Sequence, residues 1–383
     1  MKILHLCLGN FFIDGYSYQE NMLPKYHVKQ GHEVMMVASL FTFDKTGKGT
    51  YMQNPSNYQD KDGYAVVRLA YKKPTKRNRF FRHYEGLEDV IETFRPDVIF
   101  SHNVSYGDTT IVARYAKLHT YVKVFADNHA DYVNSAKNWL SKHILHPVIW
   151  RHYAKKLEPF LTKCYGVTPM RCRFLKDMYH ITPELIEYLP LGVDDDLIPD
   201  NRKEVRRQVR QGLHVNEDDF LVFTGGKIDR LKNTHLLIDA LRQLNNRNLH
   251  LVICGVLTPQ MEYLQEQIEA NANIHYLGWC DAERVMNCMV ASDLACFPGT
   301  HSTLWEQSVG VGLPAIFKCW PEMEHVNVNG NCLFVENDSV QELSDTITYF
   351  MNPENYAIKK ALAQEAAKRF LYSEIAKKAI EIK

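Results

Sequence analysis

The sequence predicts an α/β protein built from two doubly wound domains. Short β-branched runs alternate with longer helix-period segments along the whole chain, the rhythm of repeated βαβ units. That rhythm breaks once, at LPLGVDDDLIPDN (189–201), a stretch rich in Pro, Gly and Asp, and then restarts. A length of 383 residues suits two or three domains.

In the first half, strands are expected at 2–8, 33–38, 65–70, 97–101, 122–126, 163–167 and 186–190. Helices are expected near 17–30, 84–94, 108–118, 138–156 and 169–179. QGHEVMMVAS shows one link, because Gly31 ends a helix and Glu33 to Ser39 reads as a buried strand. After the break, strands fit 220–224, 249–254, 274–277, 293–297, 313–317 and 332–335. Helices fit 203–211, 234–245, 259–270, 282–290, 304–311 and 339–351. The domains are placed at 1–195 and 196–365. In the remaining 366–383, a helix at roughly 373–382 fits either domain, including a crossing back to the first. Two such domains facing each other make a deep cleft, and ligands of doubly wound sheets bind beyond the carboxyl ends of the strands.

Composition excludes several classes of function. Lys plus Arg and Asp plus Glu number 45 each, so no bulk electrostatic pull toward nucleic acid exists and no nucleic-acid partner is expected. The nine cysteines are odd in number and form no Cys-x-x-Cys pair. Several, such as Cys254 and Cys296, lie in apolar strand-like runs, where a thiol behaves as a small hydrophobe. A reducing compartment without a thiolate zinc site follows. The opening KILHLCL is too short for a signal-peptide core, and no stretch approaches the roughly 20 apolar residues of a membrane span. A cytoplasmic protein is expected, one that works at a membrane only from its surface. Asp194, Asp195 and Asp196 read as a solvated linker, and His143 with His146 make a weak metal site. No metal and no other cofactor is expected.

Two stretches carry chemistry. In FTGGKIDRLKNTHLLIDAL (223–241) a strand is expected to end at Thr224. Gly225 and Gly226 then allow a sharp turn and close approach to a ligand. Lys227 and Lys232 follow, and a helix starts near Thr234. Two cations beside a helix start suit a diphosphate leaving group, whereas two solvated surface lysines are the bland alternative. In FPGTHSTLWEQSVGVGLPAIF (297–317), Thr303 and Glu306 have capping-box spacing, so Glu306 either caps its own helix or accepts two ribose hydroxyls. The loop 299–303 would aim backbone N–H groups at phosphate.

Together these stretches resemble the donor-binding domain of family-4 retaining glycosyltransferases. The family's G-R-L-x-x-x-K-G appears as Gly226-Lys227-Ile228-Asp229-Arg230-Leu231-Lys232-Asn233. Its Glu-x7-Glu keeps only the second member, Glu306, followed by Gly312-Leu313-Pro314, and the first falls on Pro298. QGHEV and LPLGVDDD are similar to its G-H-E-V and N-G-V-D segments, so the likeness spans nearly the whole chain. It implies the two-domain GT-B fold, with donor in the second domain and acceptor in the first. It also implies a nucleotide-sugar donor and front-face transfer of a hexosyl group in polysaccharide or glycoconjugate synthesis. No Asp-x-Asp metal motif directly precedes either donor stretch, and the lysine pair with the helix dipole can do the electrostatic work without metal. YLGWCDAERV (276–285), with Trp279, falls near the nucleobase. His301 and the backbone around Thr300 to Thr303, Ser302 included, stand in for the missing glutamate around the donor sugar, and Lys227 stands where Arg is usual. In KVFADNHADY (123–132), His129 matches the family's histidine near the transferred bond, with Asp127 or Asp131 orienting it. His102 is a weaker candidate of the same kind, and Gly15 is either part of a loop over the diphosphate or a plain turn glycine.

Two basic-aromatic stretches, 72–82 and 137–156, point to an anionic membrane surface or a glycan or lipid-linked acceptor. Each also fits a solvated face. A sugar-nucleotide epimerase and a non-catalytic glycan-binding subunit of the same fold are the alternatives.

Overall fold

The computed structural model describes residues 1–44, 48–73 and 75–382. They divide into two compact units, Met1–Pro190 with Ile375–Lys383, and Leu191–Glu374. The division falls between Pro190 and Leu191, inside the Pro/Gly/Asp-rich stretch, where the sequence reading placed it at 195/196. The chain returns to the first unit only at Ile375, so 366–374 stays with the second unit.

The first unit is a sheet of eight strands. In chain order its strands are β1 (Lys2–Cys7), β2 (Glu33–Ser39), β5 (Ser56–Gln59), β6 (Ala65–Leu69), β7 (Val98–His102), β8 (Lys123–Asn128), β9 (Leu161–Gly166) and β10 (Ile186–Tyr188). Between β2 and β5 a separate antiparallel pair forms, β3 (Phe41–Phe43) with β4 (Gly49–Tyr51). The sheet order is β10-β9-β8-β7-β1-β2-β6-β5, parallel throughout except for β5 on β6. Strand order reverses between β1 and β7, so the crevice outside their carboxyl ends is where this topology places ligands.

The second unit has six parallel strands, β11 (Phe220–Ile228), β12 (Leu249–Leu257), β13 (Ile274–Tyr276), β14 (Leu294–Phe297), β15 (Ala315–Lys318) and β16 (Cys332–Val335). Their order, β13-β12-β11-β14-β15-β16, is the dinucleotide-fold order and puts the reversal between β11 and β14. Both units are therefore Rossmann-like. Each sheet is buried on both faces, which is why its strands read as continuous apolar runs such as LVIC and LACF.

The strands β3 to β5 and the helix Lys76–Phe81 were not expected, and the helix expected at 259–270 is α-helical only over Leu264–Glu269. Three further differences have local reasons. β11 runs on to Ile228, so Gly225 and Gly226 are strand residues beside Cys254 and Gly255 of β12 rather than a turn. A β-carbon on Gly255 would lie 1.9 Å from the Gly226 carbonyl oxygen, so only glycine lets these strands pair there. Pro353–Ala367 is a helix whose buried residues, Ala363 and Ala366, are too small to show as an apolar stripe. Its start is nevertheless marked, since Asn352 caps it by accepting from the backbone N–H groups of Glu354 and Asn355. The helix expected at 138–156 is π-type over Ser141–Trp150, with Pro147 inside it, and becomes α-helical over Arg151–Leu157.

Candidate functional site

Each unit builds a polar cluster at the carboxyl edge of its sheet. In the second unit, the β11 and β12 ends border a cavity of about 620 Å³. Gly226, Lys227, Gly255, Trp279, Ser302 and Thr303 are among its lining residues. Gly226 has φ +101°, a conformation in which a side chain would be strained. Lys227 is exposed, and Trp279 presents its indole at 75% exposure. A bare tryptophan beside apolar Val256, Leu257 and Pro259 offers a stacking face.

Lys232 lies at the strand-order reversal. Its Nζ donates to the carbonyl oxygens of Thr300 (2.8 Å) and His301 (3.0 Å). Thr300 N–H donates to the Leu231 carbonyl, and a β-carbon on Gly299 would lie 2.2 Å from that oxygen. The lysine thus ties the loop after β14 to the turn after β11. An ammonium has three donors, so one N–H remains for a ligand. Burial depresses its pKa, against the pull of Asp229. Asn233 follows at φ 54°, a left-handed conformation that asparagine tolerates.

Glu306 is fully buried. Its Oε1 accepts from His301 Nε2 (2.7 Å) and His325 Nε2 (2.8 Å), while Oε2 has no partner. Burial pushes the carboxyl up, but the two histidines outweigh it and hold the group below the usual carboxylate range. The capping box is not formed. Thr303 makes no side-chain cap bond, and Ser302 Oγ accepts from Leu304 N–H instead. The carboxylate has better donors in the two imidazoles. Direct contact with ribose also meets an obstacle, since no carboxylate oxygen is open and His301 covers one of them. His301, Glu306 and His325 bring ligand atoms within 4.8 Å of one another, the kind of grouping that can hold a metal. With both Nε2 atoms donating to Glu306, a metal bound there would have to displace those two protons. His325 was invisible in the sequence because it joins the site from after β15.

In the first unit, His129 follows β8, partly exposed. Its Nε2 lies 3.5 Å from Asp127 Oδ2 and 3.8 Å from Glu20 Oε1, and makes no hydrogen bond. Burial lowers its pKa, but Glu20 and Asp127 outweigh that and raise it overall. Asp127 is fully buried and bonded to His102 Nδ1 (2.9 Å), so it faces His129 as a nearby charge rather than a bonded orienter. Asp131 does not orient His129 either, since it accepts from Val133 and Asn134 N–H and pairs with Arg171 at 3.1 Å. His102 is fully buried and reaches no ligand directly. Gly15 is exposed at φ +77° with open space around it, which a turn requires. Sequence reasoning missed Glu20, and it missed Gln19, whose buried Oε1 and Nε2 have no partner.

Comparison with known proteins agrees with this architecture. The profile of glycosyltransferase family 4 matches residues 22–197, and that of glycosyl transferases group 1 matches residues 205–369. No curated protein matches the chain. Among solved structures, a glycosyltransferase from Rickettsia africae is 15% identical with TM-score 0.68, covering 100% of this chain and 97% of its own. HepE of Anabaena in complex with UDP is 17% identical with TM-score 0.66, covering 99% of this chain and 98% of its own. The UDP-GlcNAc 2-epimerase of Neisseria meningitidis is 14% identical with TM-score 0.62, covering 100% and 99%. At these identities the likeness is one of fold, and the two profiles, one on each Rossmann-like half, carry the assignment: the chain belongs to the group 1, family 4 glycosyltransferases and has the GT-B fold.

Proposed function

We propose that the protein transfers a hexosyl group, with retention of configuration, from a nucleotide-diphosphate sugar to a hydroxyl acceptor in polysaccharide or glycoconjugate synthesis. The second unit would hold the donor and the first the acceptor. The observation that carries the reading is the glycine-bordered cavity with Lys227 and Trp279 on its lining. Stacking of a base on an aromatic side chain contributes about 1–3 kcal/mol. Uridine diphosphate is the first nucleotide to test, since the Anabaena protein of this fold was solved with it.

In this reading Lys227, the remaining N–H of Lys232 and the N-terminus of the helix Leu304–Val311 stabilise the diphosphate as it leaves. The bond from anomeric carbon to leaving phosphate breaks, and the acceptor oxygen bonds to that carbon on the same face. Its proton passes to a phosphate oxygen of the leaving group. His129 would donate a hydrogen bond to the sugar. Glu306 would meet the ribose after His301 swings away, with His301, Ser302 and Thr303 near the donor. No metal takes part, because the lysines supply the positive charge. A hydrolysis screen across UDP-, GDP-, ADP- and TDP-sugars, with and without EDTA, tests this. Turnover of one donor in EDTA is expected. Absence of both turnover and binding heat would leave a non-catalytic subunit, and interconversion of the free sugar nucleotide would indicate an epimerase.

The acceptor side is read as membrane-proximal. Trp139, Leu140, Ile144 and Val148 are 68%, 60%, 40% and 60% exposed along one stretch. Phe80 stacks on Trp150 with centroids 5.6 Å apart, joining the 72–82 stretch to the same helix. Pro74 lies outside the described residues, but Lys72, Lys73, Lys76, Arg77, Arg79 and Lys142 are exposed around these apolar groups. Apolar side chains flanked by cations fit an anionic bilayer, where each cation contributes about 1 kcal/mol. Co-sedimentation with anionic vesicles at low salt, lost at about 1 M salt and lost when Trp139 and Val148 become Ser, is expected. Equal partition onto neutral vesicles, or none onto either kind, would place the acceptor in solution.

A further inference from the structure

Three buried histidines of the first unit form a row that meets no ligand directly. His102 Nε2 lies 3.1 Å from His5 Nδ1, and His5 Nε2 lies 3.0 Å from His27 Nδ1. The row ends on two groups that only accept. At one end His102 Nδ1 meets the Asp127 carboxylate at 2.9 Å. At the other, His27 Nε2 meets the carbonyl oxygen of Ala376 at 2.9 Å. All three rings and Asp127 are fully buried, and the four links are direct contacts between their heavy atoms.

Counting protons decides its charge. The row has four links, and each needs one proton between its heavy atoms. A neutral imidazole brings one N–H and one lone pair, so three neutral rings supply three. A fourth proton is therefore required, or one link becomes a contact between two lone pairs. The proton belongs where it meets opposite charge, at the Asp127 end. The Ala376 carbonyl sets the direction: His27 donates to it from Nε2, His5 donates from Nε2 to His27 Nδ1, and His102 donates from both nitrogens. We propose that docking of the C-terminal segment through the Ala376 carbonyl binds one proton into this row, that His102 holds it as an imidazolium against Asp127, and that His5, His27 and His102 thereby act as positioning residues keeping Asp127 charged beside His129.

The groups around the row agree. Burial, then His27 and His102, hold the His5 pKa far down, and burial holds that of His27 at about 4, so both are neutral. Burial pushes the Asp127 carboxyl up, but His102 and His129 outweigh it and keep it below its ordinary range. From β1, the Cys7 thiol faces the site and is pushed up by burial, by Glu20 and by Asp127, so it stays neutral. Cys164 on β9 is likewise neutral through burial and Asp127. Glu20 on the helix Gln19–Lys29 and Arg171 on the helix Pro169–Tyr179 act on His129, and His32 acts on His27. Without the Ala376 carbonyl the whole row could reverse, His27 Nε2 would need no proton, and the fourth proton could leave. Docking is therefore favoured at low pH and weakens as pH rises through the midpoint of the docked row.

The test is NMR of the full-length protein carrying nitrogen-15 histidine, which reads the tautomer of each ring and needs no substrate. Its failure is thus separable from failure of the proposed transfer. In the wild type at pH 7, His5 and His27 should be Nε2–H tautomers and His102 protonated on both nitrogens. His27→Gln keeps a donor to Ala376 and an acceptor for His5, so both His102 nitrogens should stay protonated at pH 7. His27→Phe removes both and should leave His102 singly protonated, with His5 as its Nδ1–H tautomer. A singly protonated His102 in the wild type, Nδ1–H tautomers at His5 and His27, or the same His102 and His5 forms in the Gln and Phe variants would each overturn the proposal. If the Phe variant does not fold, the wild-type and Gln tautomers still decide it.

Discussion

Asp127 and Glu306 make an instructive pair. Each is a fully buried carboxylate at the carboxyl edge of its unit's sheet, bonded to histidine through one oxygen, with the other oxygen unpartnered. Histidines hold both below the usual carboxylate range against the opposing push of burial. The difference lies in where the histidines lead. From Asp127 the network runs inward through His102, His5 and His27 and ends on backbone. From Glu306 it runs outward to His301, beside Ser302 and Thr303 on the cavity lining. The same motif thus serves as an internal anchor in one unit and as the latch of a cavity-side loop in the other.

The sharpest way to break this comparison is Asp127→Ala. Removing one partner of a buried pair costs about 3–5 kcal/mol, so denaturant unfolding should show a large loss. A loss below about 1 kcal/mol would mean that the row needs no anchor. Next comes Lys232→Ala, which removes both the cation proposed to meet the developing charge and the tie to the Thr300 and His301 carbonyls. Transfer should fall by about 10²-fold or more with the circular dichroism unchanged, and near wild-type turnover would place the diphosphate elsewhere.

Glu306→Gln probes the latch. Gln keeps the shape but not the charge, so stability should drop by about 1–3 kcal/mol while the donor KM rises. The sign of its pH dependence follows from the depressed folded pKa. The carboxylate stabilises the fold above its unfolded value of about 4.3, and that contribution is lost as pH falls through the folded value. The gap between wild type and variant should therefore narrow steadily as pH falls below about 4.3 toward the folded value, and a gap that does not narrow over that range would separate stability from the charge. Smallest is Trp279→Ala. An exposed indole contributes little to the fold, and losing its stacking face should raise the donor KM by about tenfold with stability within about 0.5 kcal/mol of wild type. An unchanged KM for every nucleotide would remove the base from this cavity.

Much of the site was legible where function depends on residue type along the chain. Gly226, Lys227 and Lys232 lie near one another at the end of β11 because they are neighbours in sequence. The role of Lys232 was not legible. Its two carbonyl partners belong to the loop after β14, and a lysine followed by asparagine reads the same whether it meets phosphate or backbone. The Thr303-x-x-Glu306 spacing suggested a cap, but His301 and His325 took the carboxylate, and His325 arrives through a different strand.

By itself the sequence determined the rhythm of strands and helices, the break near residue 190 and the family of both halves. Those properties rest on local periodicity, turn chemistry and short motifs, which act between residues a few positions apart. Only the tertiary structure decided that His5, His27, His102 and Ala376 stand in one line, drawn from two strands, a helix and the far end of the chain. A histidine within an apolar run such as KILHLCL carries no mark of its partner, because hydrogen-bond direction and proton count are set by groups that folding brings together.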